Sequence, residues 1–186
     1  MLLYRVFPYL AATGPGDPGH PGYLHGPQGK GRLDNPDEYA CWYLSAEASG
    51  AVGEVFADLG RWGPEMFDVP FLAGGERALG VYEVPEGAPV LDLDDAKNLL
   101  DRGLRPTQVI ERNRPATQAW ALNIFQERDA GGSRRWKGVR WWSYHRPQWR
   151  IFGLWDIAPA NVTVEVLGLG HPAVLNAARA LSKPLP

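Results

Sequence analysis

The order of strand-like and helix-like segments is the tightest constraint this chain places on its own fold. Runs rich in aromatic and β-branched residues stand at 2–9 (LLYRVFPY), 39–45 (YACWYLS), 80–85, 89–93, 138–143 (GVRWWS), 150–156 and 161–170, and each reads as a short strand. Helical spacing takes over after Ser45, where Ala48, Ala51, Val52, Val55, Phe56 and Leu59 form one apolar stripe. Ser45 is placed to N-cap that helix. Further helices are predicted over 94–103, ended by Gly103, over 114–129, with Pro115 at its start, and over 172–183. Strands towards both ends with helices between them, and no regular βαβ alternation, predict an α+β fold rather than a doubly wound sheet.

With 186 residues the chain is expected to form a single domain over 1–186 with a real core. The segment 13–31, TGPGDPGHPGYLHGPQGKG, is dense in Gly and Pro and poor in packing groups, so a mobile surface loop is expected there. The formal net charge is −2, which argues against a general polyanion binder. One cysteine, Cys41, excludes an internal disulfide. Arg5 interrupts the apolar N-terminus, which makes a poor signal peptide, and no apolar run is long enough to span a bilayer. The expectation is a soluble cytoplasmic domain with no membrane partner.

The loudest local signal is SRRWKGVRWWSYHRPQWRIF (133–152), with four Trp among six Lys and Arg. Cations and flat rings together suit single-stranded nucleic acid. The strand period of two, however, sends Val139, Trp141 and Ser143 to one face and Arg140, Trp142 and Tyr144 to the other. Most of the tryptophans are then core, and Arg134, Arg135 and Lys137 are expected to be solvated. Gly168, Gly170 and Ala173 spell G-x-G-x-x-A between a strand and a helix, but no second parallel strand or acidic partner follows, so a tight turn is the better reading than a dinucleotide fingerprint. His20, His25, His145, His171 and Cys41 have no zinc-site spacing, and no metal is expected. Glu54 should sit at the edge of the buried helical stripe, Arg32 beside a Gly turn and Ser143 at a strand end. Taken singly, each has an ordinary structural explanation.

In order, GRLDNP (31–36), YACWYLSAE (39–47), Glu54 in AVGEVF, TQAWA (117–121) and GVRWWSYHR (138–146) resemble the RES-domain family, the toxin component of RES–Xre toxin–antitoxin pairs. Arg5 in YRV stands where that family has an arginine in its first strand. Leu33 replaces a frequent aromatic and Asn35 a frequent Asp. The resemblance implies a compact α+β domain similar to ADP-ribosyltransferases, with mixed or antiparallel central strands. It implies cleavage of NAD between nicotinamide and ribose, with water or phosphate as acceptor. NAD is then the substrate, and no prosthetic cofactor is expected. Catalytic roles are implied for Glu54, Arg32 and Ser143, and NAD binding for Arg5, Arg32, Tyr43 and Ser143. An Xre-like helix-turn-helix antitoxin is the implied partner, with a homo-oligomer conceivable inside the toxin–antitoxin complex and no direct contact to nucleic acid. Two alternatives stay open: ADP-ribosyl transfer to a protein, or a non-enzymatic single-strand-binding module on 134–150.

The residue types suit that chemistry. Losing nicotinamide leaves positive charge on the ribose, as in glycoside hydrolysis, and a carboxylate such as Glu54 stabilises it. Arg32 and Arg5 suit the pyrophosphate. Tyr43 suits stacking on nicotinamide, and Ser143 a hydrogen bond to its amide or the adjacent ribose.

Overall fold

The computed structural model describes residues Met1 to Pro186. Seven strands, β1 (Leu2–Tyr9), β2 (Trp42–Ser45), β3 (Glu76–Glu83), β4 (Val90–Asp92), β5 (Gly138–Trp142), β6 (Arg150–Leu154) and β7 (Ala160–Val166), form one sheet in the order β4-β5-β6-β2-β1-β3-β7. Only β4 and β5 pair in parallel; all other neighbours are antiparallel. Helices α1 (Ala48–Phe56), α2 (Ala96–Leu100), α3 (Pro106–Ile110), α4 (Arg114–Gln126) and α5 (Pro172–Ala180) complete a single α+β domain. The strand-to-helix segment carrying Gly168 and Gly170 is a turn leaving antiparallel β7, and His171 then caps α5 by accepting from the Ala173 N–H.

Strand alternation divides the sheet into two unlike faces. On one, Val6, Leu79, Val139, Trp141 and Ile151 join Val52, Phe56, Trp120, Ile124 and Val174 from the helices in the main core. On the other, Leu3, Trp42, Leu44, Tyr82, Val84, Phe152 and Leu154 make a smaller cluster. No helix covers this second face. The Gly/Pro segment does: Leu24 packs on the cluster, Tyr82 Oη donates to the Pro21 carbonyl, and the Gln28 amide exchanges hydrogen bonds with both the N–H and the carbonyl of Cys41. The segment expected to be a mobile connection is therefore a cover, fastened through polar groups where it lacks apolar ones.

Two further expectations change. Ser45 does not cap α1. It ends β2, and Glu47 occupies the N-cap position with no side-chain hydrogen bond. Arg134 is not solvated: its guanidinium lies 3.4 Å from the centroid of the Phe125 ring and pairs with Asp156 at 2.5 Å. Such a stacked, ion-paired arginine holds loop to helix instead of facing solvent. The face assignment of 139–144 agrees with the structure, Val139, Trp141 and Ser143 being buried while Arg140 and Trp142 are half-buried and Tyr144 is exposed.

What brings α1 close to the sheet is an absence of side chains. Gly50 and Gly53 lie one above the other on the helix, and the Trp149 indole fills the space beside them. A Cβ on Gly53 would stand 2.2 Å from Trp149 Cζ3. Trp149, at the start of the hairpin return from β5 to β6, is itself buried. The one-turn spacing thus docks α1 flat on an aromatic plane, and Glu54, the next residue, is carried to the end of β5.

Candidate active site

The Gly31-Arg32 turn is built around Asp34. One oxygen of its carboxylate accepts from the N–H groups of Gly29 and Gly31, both at 2.7 Å, and the other from Tyr43 Oη, also at 2.7 Å. Tyr43 Oη in turn accepts from the Leu33 N–H at 2.8 Å. A side chain at position 31 has no room here, since a Cβ would approach Tyr43 Oη to 2.4 Å and Asp34 Oδ1 to 2.5 Å. From α4, Gln118 Nε2 donates to the carbonyls of Gly29 and Gly31. Burial, with Cys41 and Asp34 nearby, pushes the Tyr43 hydroxyl far above its ordinary pKa, so it stays protonated. Its hydroxyl is committed to the turn, and the residue also lines the cavity.

Arg32 emerges from this turn nearly buried, at 9% exposure. Its Nη1 donates to the carbonyls of Val109 (2.6 Å) and Glu111 (2.7 Å), and its Nη2 to that of Ile110 (3.2 Å). The fork therefore grips the end of α3, whose last carbonyls have no helical partner. Burial and then the charge of Arg114 lower the Arg32 pKa to about 10, still protonated at neutral pH.

Glu54 is exposed on α1. Ser143, only 1% exposed, donates its hydroxyl to Glu54 Oε1 at 2.5 Å. The same Oγ accepts from the backbone N–H groups of His145 (3.1 Å) and Arg146 (3.3 Å). Every hydrogen-bonding position of the serine is taken. Ser143 thus fixes the carboxylate of Glu54, and the hairpin amides fix Ser143.

Arg32, Tyr43 and Glu54 line one cavity of about 370 Å³, together with Tyr4, Ser45, Trp141 and Arg114. That is the size range of small-molecule sites. Ser143 stands behind it. Arg5 is not brought into the group. Its backbone runs along the cavity wall, but alternation in β1 turns its side chain to the opposite face, where the guanidinium lies 4.9 Å from the Trp42 ring centroid and Nη1 donates to the Tyr23 carbonyl. Burial lowers the Arg5 pKa there.

Sequence reasoning missed two members of this site. Asp34 sat within the quoted GRLDNP, but its role depends on a turn whose partners are main-chain N–H groups. Arg114 opens α4, with no acidic residue in the first turn. A cation at a helix N-terminus opposes the macrodipole, which is the sequence signal that could have singled it out. Of the aromatic-basic stretch, Trp141 and Trp149 are buried, Arg140 pairs with Asp92, and Arg146 donates to the Ala180 carbonyl.

The family model described as RES domain matches residues 2–176. No curated protein sequence matches. Among solved structures, a chain from the crystal structure of the M. tuberculosis MbcT–MbcA toxin–antitoxin complex superposes with a TM-score of 0.58 at 13% identity, covering 98% of this chain and 89% of that one. At that identity the likeness is one of fold.

Proposed function

The chain belongs to the RES domain family, and from that premise we propose that it is the toxin of a toxin–antitoxin pair and depletes NAD by cleaving its nicotinamide–ribose bond. The observation that carries this reading is the Glu54 carboxylate, held by the Ser143 hydroxyl at a cavity whose other charged walls are Arg32 and Arg114. Departure of nicotinamide leaves an oxocarbenium-like ribose. A carboxylate already fixed in place stabilises that charge without reorganising as it develops. The oxygen of Glu54 not engaged by Ser143 is the one available to a ribose hydroxyl or to the incoming nucleophile. The Tyr43 and Trp141 rings supply flat apolar surface for the nicotinamide, and Arg32 acts by holding the 109–111 main chain. Ser143 is, on this geometry, a positioning residue. NAD enters as substrate, and a helix-turn-helix antitoxin is the partner that would silence the site.

The test is incubation of the purified full chain with NAD, with and without phosphate, following nicotinamide release. Wild-type protein is expected to release nicotinamide, and Glu54→Gln to do so on the order of 100-fold more slowly, with its melting temperature nearly unchanged because the side chain is exposed. Wild-type protein freed of inhibitor that releases none overturns the reading.

A further inference from the structure

The cavity contains two guanidinium groups, and only one of them is satisfied. Arg32 spends its fork on three carbonyls. Arg114, on the same wall, has an Nη1 that is cut off from solvent and has no hydrogen-bond partner. Neither arginine forms an ion pair: the carboxylates in salt bridges are Asp58, Asp92, Asp101, Glu127, Asp156 and Glu165, each with another cation. Glu54, the acid of the cavity, is hydrogen-bonded to Ser143. A buried guanidinium nitrogen without a partner costs free energy unless something pairs with it. The two cations also repel, which is why Arg114 contributes to lowering the Arg32 pKa.

The position of Arg114 is fixed from both sides. It is the first residue of α4, after Asn113, whose side chain caps the helix by accepting from the Ala116 N–H. The preceding residues are clamped by the Arg32 fork, and Arg112 pairs with Asp58 beyond α1 at 2.9 Å while its guanidinium lies 4.7 Å from the Tyr144 ring centroid. Three arginines thus meet the short connection between α3 and α4. Arg32 and Arg112 tie it down, and Arg114 is presented to the cavity.

We infer that Arg114 is the phosphate-recognising cation of this site, binding an oxyanion in the cavity that it lines. Resting on the reading above, that oxyanion is the pyrophosphate of the dinucleotide, which places the adenosine side towards α4 and the scissile ribose towards Glu54. Planar guanidinium matches phosphate oxygens bidentately. Arg32 supports this subsite through field and framework and makes no direct demand on the ligand.

The experiment separates this inference from the proposed reaction. Binding of ADP-ribose, inorganic pyrophosphate and inorganic phosphate to the full chain is measured by calorimetry for wild type, Arg114→Gln and Arg114→Lys, with melting temperatures to confirm folding. ADP-ribose and pyrophosphate are expected to bind wild type and to bind Arg114→Gln roughly 10- to 100-fold more weakly, with the lysine variant between them. Inorganic phosphate binding with comparable affinity and displacing ADP-ribose would assign the subsite to free phosphate; binding confined to pyrophosphate-bearing ligands assigns it to the dinucleotide. In turnover, Arg114→Gln should raise KM for NAD by a larger factor than it lowers kcat. Unaltered ADP-ribose and pyrophosphate affinity in folded Arg114→Gln, or no oxyanion binding by wild type, overturns the inference. Oxyanion binding that depends on Arg114, without any NAD cleavage, would leave the inference standing and defeat the proposed reaction instead.

Discussion

Replacing Gly53 by alanine sets two effects of opposite sign against each other at one position. Glycine inside a helix costs about 1 kcal/mol relative to alanine, so α1 alone would gain from the change. Against it, the new Cβ would stand 2.2 Å from Trp149 Cζ3 and 2.6 Å from Cη2. Ordinary contact begins near 3.4 Å, so ring or helix must give by about 1 Å, and overpacking of this kind costs roughly 1–3 kcal/mol. Trp149 is buried and cannot swing out. The net is a loss of about 0–2 kcal/mol, or up to about 8 °C in melting temperature for a chain of this size. The larger consequence is local. Glu54 follows Gly53 directly, and its hydrogen bond to Ser143 bridges the contact being prised apart. Nicotinamide release from NAD should therefore fall by more than the stability change alone explains, on the order of 10- to 100-fold, because a displacement near 1 Å can cost about 10²-fold in rate. Trp149→Phe removes the outer ring atoms that meet the methyl group, so the double variant should recover part of the activity, and the two changes should be non-additive. A Gly53→Ala protein that is both more stable and fully active would refute the reasoning, since it would mean that α1 does not need this approach to deliver Glu54.

The turn and its clamp give two more tests. Tyr43→Phe keeps the ring but strands the Leu33 N–H and one oxygen of Asp34, so melting should drop by a few degrees, corresponding to about 1–3 kcal/mol; an unchanged melting temperature would remove the hydroxyl from the account of the turn. Arg32→Lys retains a charge but cannot reach three carbonyls as a fork, and is expected to lose roughly 2–3 kcal/mol and most nicotinamide release; wild-type stability in denaturation would show that the 109–111 main chain holds itself.

Much of the architecture could be read from local periodicity, because strands and helices of sufficient length impose it. The faces of 139–144 follow from the period of two alone. The same rule already separates Arg5 from Tyr4 and Val6, but it cannot say which face of β1 the cavity occupies, and that depends on where α1 docks. Helix α3 is too short, at 5 residues, to show a stripe. The segment 13–31 carries almost no apolar signal because carbonyls, an amide and a tyrosine hydroxyl fasten it, and such polar ties leave no pattern in hydropathy. Within the site, Glu54, Arg32 and Tyr43 line one cavity, but the Arg32 guanidinium is spent on main-chain carbonyls, which no sequence pattern announces. Arg114 left one mark in the sequence, a cation opening a helix, whereas the lack of a hydrogen-bond partner at its Nη1 is a property of the folded chain.

Arg32 holds its neighbour by carbonyl oxygens, and a carbonyl is the same whichever residue owns it. Positions 109 to 111 are thus free to drift in side-chain identity so far as this clamp is concerned, and what restrains them is the burial of Val109 and the packing of Ile110 against the main core. A relative could replace the whole tripeptide and still present its next arginine at the same height above the cavity. Resemblance judged letter by letter would count that segment as lost, while the spatial relation it secures had not changed.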